Sequence, residues 1–232
     1  MANYGYFEGY TGIYKYTFNY IDDKFESVAV DFSEGHYSIS VSYPSDSYIT
    51  IYEGNYRKNY NADINNNGYI TCLNDRYYSG STLYSYDSEG YLTNESCMYE
   101  IYNYIDESNT AITWDNGNIV KTRSEFYDLD EINTWKKTYK YNNKLTKLVN
   151  LDLNWFVNPM DEYCIDIDYI IGTAGFMGTK CKNYMIEQKY DSGSTIKYDW
   201  TYDDLGYPIK CVVTDYIGDA SSVSTYTFAY MD

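Results

Sequence analysis

The sequence predicts an all-β chain: an antiparallel up-and-down meander that closes into a soluble, porin-like barrel or folds over into a β-sandwich. Three observations predict it. Apolar and polar residues alternate with a period of two through most of the chain, as a strand with one apolar and one wet face requires. Short Asp, Asn and Gly clusters interrupt that alternation at regular intervals, which is hairpin chemistry. No long segment carries apolar residues at the 3.6-residue spacing of an amphipathic helix.

The elements follow in order. Residues 13–21 set Tyr14, Tyr16, Phe18 and Tyr20 against Lys15, Thr17 and Asn19. Asp22-Asp23-Lys24 turns the chain and residues 25–32 return. Residues 37–43 give the cleanest alternation, with Tyr37, Ile39, Val41 and Tyr43 against Ser38, Ser40 and Ser42. Pro44-Ser45-Asp46 breaks it, and residues 48–53 resume. A more polar strand spans 56–62, and Asn65-Asn66-Asn67-Gly68 turns into 69–73. Residues 83–93 form a hairpin around Asp87-Ser88-Glu89-Gly90. Strands follow at 99–105 and 111–114, and Asp115-Asn116-Gly117-Asn118 leads into 119–126. Residues 135–141 and 145–153 are expected to pair around Asn142-Asn143-Lys144.

Between 154 and 182 the rhythm lapses. Residues 154–162 and 172–182 read as longer loops flanking a short strand at 163–169, and they carry Trp155, Phe156, Met160, Phe176 and Met177. Residues 184–190 restore the alternation. The clearest hairpin spans 196–213: Ile196, Tyr198, Trp200 and Tyr202 alternate with Lys197, Asp199 and Thr201 before Asp203-Asp204-Leu205-Gly206. Residues 224–230 close the chain. About 14–16 short strands with no linker-like stretch describe one domain over 1–232. A meander of that length must close or fold over to hide its edges.

Composition narrows the function classes. The chain holds 34 Tyr among 232 residues and carries a formal net charge of −17. That excess repels nucleic acid phosphates and anionic lipid. No run of 18 apolar residues exists, so no membrane-spanning helix is expected, and the first twelve residues show no signal-peptide pattern. The second strand face is Ser, Thr, Lys, Asp and Asn, which suits a barrel wall in water. Five widely spaced cysteines without a CxxC pair argue against zinc and favour buried free thiols.

The unit Tyr-x-Tyr-Asp-x-x-Gly-Tyr-Leu at residues 84–92, repeated in part at 202–207, resembles the YD-type hairpin repeats of large bacterial surface and toxin proteins. The small, acidic, Tyr-rich chain resembles a family of secreted lipoproteins of gut Bacteroidetes with a porin-like fold and no known function. The resemblance departs at 154–182, where the hairpins stop. It implies an exported, periplasmic or cell-surface barrel, lipid-anchored through an upstream or removed N-terminal segment, and it brings no catalytic residues.

Candidate chemistry is sparse. Asp63, Asn65, Asn67 and Gly68 match the start of a calcium loop, but Asn74 stands where a bidentate Glu is needed, and turn geometry explains the residues. His36 is the lone histidine and reads as a turn or strand-end residue. Gly172, Gly175 and Gly178 lack the strand–helix setting of a phosphate loop. There is no GxSxG, HExxH, Walker or dinucleotide fingerprint, and no cofactor or metal is expected. Asp166 and Asp168, on one side of the expected strand, and Glu187 are the carboxylates a glycoside hydrolase would use; a solvated strand face is the default reading of the first two, since alternation alone predicts it. The leading expectation is a non-catalytic envelope protein that binds a glycan or another surface polymer. Trp155, Phe156 and Phe176 are its anchors, since loops carry binding more often than packing. A plug or cap burying the same aromatics is the competing role for 154–182, and an architectural component is the third class.

Overall fold

The computed structural model describes residues 2–4, 14–22, 24–32, 35–54, 57–75, 80–101, 104–128, 131–147, 151–157, 166–218 and 220–230. The strands are β1 (Ala2–Tyr4), β2 (Tyr14–Ile21), β3 (Lys24–Phe32), β4 (Gly35–Ser45), β5 (Tyr48–Glu53) and β6 (Lys58–Ile64). There follow β7 (Ile70–Asp75), β8 (Gly80–Tyr86), β9 (Leu92–Ile101), β10 (Tyr104–Asp115), β11 (Asn118–Asp128) and β12 (Glu131–Leu145). After an insert holding α1 (Leu153–Val157) and α2 (Asp166–Thr173) come β13 (Asn183–Tyr190), β14 (Thr195–Tyr202), β15 (Pro208–Ile217) and β16 (Ala220–Phe228).

Each strand from β2 to β16 pairs antiparallel with its sequence neighbours, so the fold is an up-and-down barrel and not a sandwich. β2 and β16 do not pair with each other. Three-residue β1 lies between them and pairs with both, Ala2 opposite Phe228 on one side and Tyr16 on the other. Because successive strands reverse, the turns after β2, β4, β6, β8, β10 and β14 share one end of the barrel with the β12–β13 connection.

Alternation places the side chains. Val28 and Val30 of β3, Ile39 and Val41 of β4, and Ile49 and Ile51 of β5 point inward and are buried. Ser40, Ser42, Asn59 and Asp63 face outward. Towards the middle and the far end the interior becomes polar, with Glu53, Asp75, Thr82, Glu95, Thr122 and Gln188 all buried. Glu53 accepts from Tyr60 Oη (3.3 Å) and Thr122 shares a hydroxyl pair with Tyr139 (3.2 Å), as a low-dielectric interior favours.

Three expectations are corrected. Residues 135–153 do not form a hairpin: β12 runs on through Asn142-Asn143-Lys144 to Leu145 and pairs with β13. That trio has no glycine to take a positive φ, and it makes a bulge, Tyr141 standing opposite Met185 and Leu145 opposite Asn183. Residues 166–169, expected in a strand, open helix α2. Ile167, Ile170 and Ile171 are all buried, at the i, i+3, i+4 spacing of a helix face, and that spacing outweighs five residues of alternation. Residues 153–157 are a helical turn and not a loop, with Asp152 accepting the N–H of Asn154 (3.0 Å) and Trp155 (3.2 Å) as its cap.

Candidate functional site

The rim of the barrel at the insert end is built from one turn used three times. Asn65, Asp87 and Asp203 each accept two backbone N–H groups on Oδ1, from the residues two and four positions on, at 2.8–3.1 Å. The glycines at the fourth position, Gly68, Gly90 and Gly206, have φ of 79°, 83° and 82°, the left-handed region that a side chain disfavours. The Asn65 oxygen singled out as a calcium ligand is therefore held by its own turn. His36, the one histidine of the chain, pairs with Asp31 across the β3–β4 hairpin at 2.7 Å and is exposed.

The insert lies within this rim. Phe156 packs its ring against Tyr16 (5.5 Å), Phe18 (5.7 Å) and Phe228 (6.3 Å), so α1 reaches the β2 and β16 walls. The chain after α2 then runs along the hairpin tips. Ile70 N–H donates to Phe176 O (2.9 Å), Thr179 N–H to Gly90 O (2.8 Å), and Lys182 N–H to Gly117 O (2.7 Å). Gly178 passes close against one of these tips, where a Cβ would stand 2.6 Å from Gly90 O.

Between the 174–180 segment and the β2–β3, β4–β5 and β6–β7 turns opens a cleft of about 730 Å³. Its walls carry Tyr20, Phe25, Tyr43, Tyr69 and Phe176, with Lys24, Asp46, Asn66 and Lys180 as polar groups. Tyr43 donates its hydroxyl to Phe25 O (2.7 Å) and holds Lys24 Nζ 5.3 Å from its ring. Burial pushes the Tyr43 phenol up to about 12 and Tyr20 higher, with the neighbouring Tyr43 adding to the latter, so both are neutral donors at physiological pH. Behind the insert a water-sized cavity of about 30 Å³ is bordered by Trp114, Tyr141, Asp152 and Cys181. Burial raises the Asp152 carboxyl while the charge of Lys180 and its two backbone N–H bonds lower it; burial likewise lowers Lys180, opposed by Asp152.

Of the three expected anchors, Phe176 lines the cleft and is 7% exposed. Trp155 (8%) and Phe156 (1%) sit beneath it in the interior. Met177 is buried too, while Met160 lies outside the described residues. Of the three candidate carboxylates, two stand on a different element from the third. Asp166 and Asp168 belong to α2 in the insert, whereas Glu187 is on the outer wall, 2.6 Å from Lys140. Cys72, Cys97, Cys181 and Cys211 are free thiols, and Cys164 lies outside the described residues. The remaining cleft residues, Tyr20, Tyr43 and Tyr69, read in sequence as ordinary strand or turn positions. Only their crowding beside turns that an insert must cover could have marked them.

No protein-family model matches the chain, and no curated protein matches it. Among solved structures it is similar to a porin-like protein from Bacteroides uniformis ATCC 8492, at 15% identity over 98% of this chain and 95% of that one, with a TM-score of 0.72. It is also similar to a porin-like protein from Bacteroides vulgatus ATCC 8482, at 15% identity over 99% and 97% of the two chains, with a TM-score of 0.70. At that identity the likeness is one of fold: the chain is a porin-like, all-β, up-and-down barrel.

Proposed function

We propose that this chain is a non-catalytic, exported envelope protein that holds a glycan or another surface polymer in the cleft at the insert end. The observation that carries the reading is the cleft itself. Its volume of about 730 Å³ falls in the ~300–1,000 Å³ range of small-molecule sites, and it combines aromatic walls with a few convergent polar groups. Tyr and Phe faces suit the apolar face of a sugar ring, and Asn66, Asp46 and Lys180 suit its hydroxyls. Phe176 is the direct anchor among the three loop aromatics, and Trp155 and Phe156 act from below by fixing the insert. The porin-like fold shared with proteins from Bacteroides supports an exported, surface-associated location, as do the YD-type turns. A lipid anchor belongs to the same reading, and fractionation of cells carrying the full gene tests it.

Two other classes remain as outcomes of one experiment. A hydrolase needs two carboxylates about 5–10 Å apart across a bond, and Glu187 is turned away from the insert. An architectural role draws on the insert's burial. The test is retention of the protein on a panel of immobilised polysaccharides, with sugar release measured in parallel. Retention without release, weakened about tenfold (~1.4 kcal/mol) by Tyr43→Ala or Tyr69→Ala in protein whose circular dichroism shows the barrel intact, is the expected result. Release of sugar would replace the binder with an enzyme. Retention on none of the panel would leave architecture.

A further inference from the structure

The chain is strongly acidic, yet its basic residues are segregated. Twelve of its 17 Lys and Arg residues follow position 116, and the register of the sheet gathers several of them on one patch of outer wall. Thr138 of β12 is the centre. Lys121 of β11 stands opposite it on one side and Lys189 of β13 on the other. Lys136 and Lys140 lie two residues before and after it, on the same exposed face of β12. Arg123 is directly opposite Lys136, and Lys197 of β14 is opposite Glu187. Opposed positions are about 5 Å apart and alternate residues about 7 Å. One threonine hydroxyl is thus ringed by four lysines at nearest-neighbour spacing.

The acidic groups on this wall do not neutralise it. Glu187 is taken by Lys140 (2.6 Å) and Glu125 by Arg123 (2.6 Å); Asp199 of β14 and Asp191 at the β13–β14 turn lie at the edges. Lys121, Lys136 and Lys189 form no ion pair with a described residue. Like charges at directly opposed strand positions, as at Arg123 and Lys136, are destabilising. The fold does not need them, because the corresponding outer positions of β4 and β6 hold Ser and Asn. Set by the register of neighbouring strands, the cations cluster in a patch of positive charge about 15 Å across.

We propose that the outer wall over β11–β14, centred on Thr138, binds a linear polyanionic glycan, with Lys121, Arg123, Lys136, Lys140 and Lys189 as its contacts. Charge complementarity selects an anion, and the rest of the molecule selects its shape. A planar anionic membrane facing this patch would also face the acidic remainder of a chain of net charge −17. A thin polymer lies within the patch, more than one ~8–10 Å Debye length from most of that remainder. This surface is separate from the cleft at the barrel end and stands without it.

The test uses the whole chain with polygalacturonate, neutral dextran and phosphatidylglycerol vesicles as probes, in affinity electrophoresis and sedimentation at several salt concentrations. Polygalacturonate is expected to retard the protein with an affinity that falls steeply with salt, and dextran is not. The triple variant Lys121→Gln, Lys136→Gln, Lys189→Gln should weaken that retardation at least tenfold and lower the salt dependence, with a melting temperature no lower than the parent's. The control Lys15→Gln, Arg57→Gln, Lys182→Gln carries the same net charge and should bind like the parent. Equal losses in both triple variants would show a general charge effect and overturn the proposal. So would absence of retardation, stronger binding to vesicles than to polygalacturonate, or low-salt self-association abolished by the wall variant, which would assign the patch to a membrane or to a second copy.

Discussion

Tyrosine explains the chemistry of this barrel at the residue scale. Its ring fills the interior while its hydroxyl reaches a carbonyl or carboxylate at the edge of the packed region, as in Tyr43 to Phe25 O (2.7 Å) and Tyr86 to Ile70 O (2.6 Å). A phenol so placed must stay protonated, because its anion would be desolvated and would face an acceptor oxygen. Burial pushes Tyr43 and Tyr202 up to about 12, and Tyr20, Tyr86, Tyr141 and Tyr226 above the ordinary tyrosine range altogether. The unfolded chain ionises near pH ~10. Between that value and the raised native values the folded state holds more protons, so stability falls as pH rises. The melting temperature should be flat from neutrality to about pH 10 and drop steeply above it. Tyrosinate absorbance for these buried rings should appear together with the loss of near-ultraviolet circular dichroism. A smooth titration of nearly all the tyrosines near pH ~10, with the fold intact, would contradict the burial described here.

The insert is the element whose packing departs most from the rest of the barrel. Its helices stand back to back, and Gly172 of α2 lies against the indole of Trp155. A Cβ at Gly172 would fall 1.5 Å from Trp155 Nε1. A glycine in a helix ordinarily loses about 1 kcal/mol relative to alanine, so Gly172→Ala elsewhere would stabilise. In this position it should destabilise by about 1–3 kcal/mol through overpacking. Trp155→Ala alone should cost about 3–5 kcal/mol, and adding Gly172→Ala to it should then be neutral or restoring. Urea unfolding of the four proteins measures the coupling, and additive effects would mean that the two residues do not touch. The same element marks where sequence legibility ended. The hairpins at 83–93 and 196–213 were readable because one Asx oxygen and one glycine define each turn locally. The run at 142–144 carries turn-like residues but is held extended by β13, a partner forty residues away that no local signal names. Ile167, Ile170 and Ile171 did carry helical spacing; it was masked by the Ile-Asp-Ile-Asp alternation just before it. The cleft was half legible: Phe176 stood out as an apolar residue outside the alternation, whereas Tyr20, Tyr43 and Tyr69 look like every other tyrosine of the barrel.

Among the described residues the outer wall of the barrel is largely polar and the inner face largely apolar, the reverse of the usual lipid-embedded barrel. A barrel that lives in a bilayer presents an apolar band about 25 Å tall on its outside, flanked by aromatic girdles. This chain turns Val28, Ile39, Ile49, Leu73, Tyr84, Tyr198 and Trp200 inward. Its outer wall shows Ser40, Ser42, Asn59, Thr138, Thr201 and Thr225, interrupted by exposed Leu83, Met98, Ile132 and Val223. Lys121, Arg123, Lys136, Lys140, Lys189 and Lys197 lie within strands and are exposed. Each Lys or Arg at a bilayer midplane costs about 2–4 kcal/mol, so six of them oppose insertion by on the order of 10 kcal/mol or more. Hydrogen-bonded closure of the sheet satisfies the backbone in either solvent, so the side chains decide between them. The purified chain should therefore remain dispersed in buffer without detergent, and its tryptophan fluorescence should not change when phosphatidylcholine vesicles are added. A requirement for detergent, or co-flotation of the folded barrel with those vesicles, would place its wall in lipid and overturn this assignment of its faces.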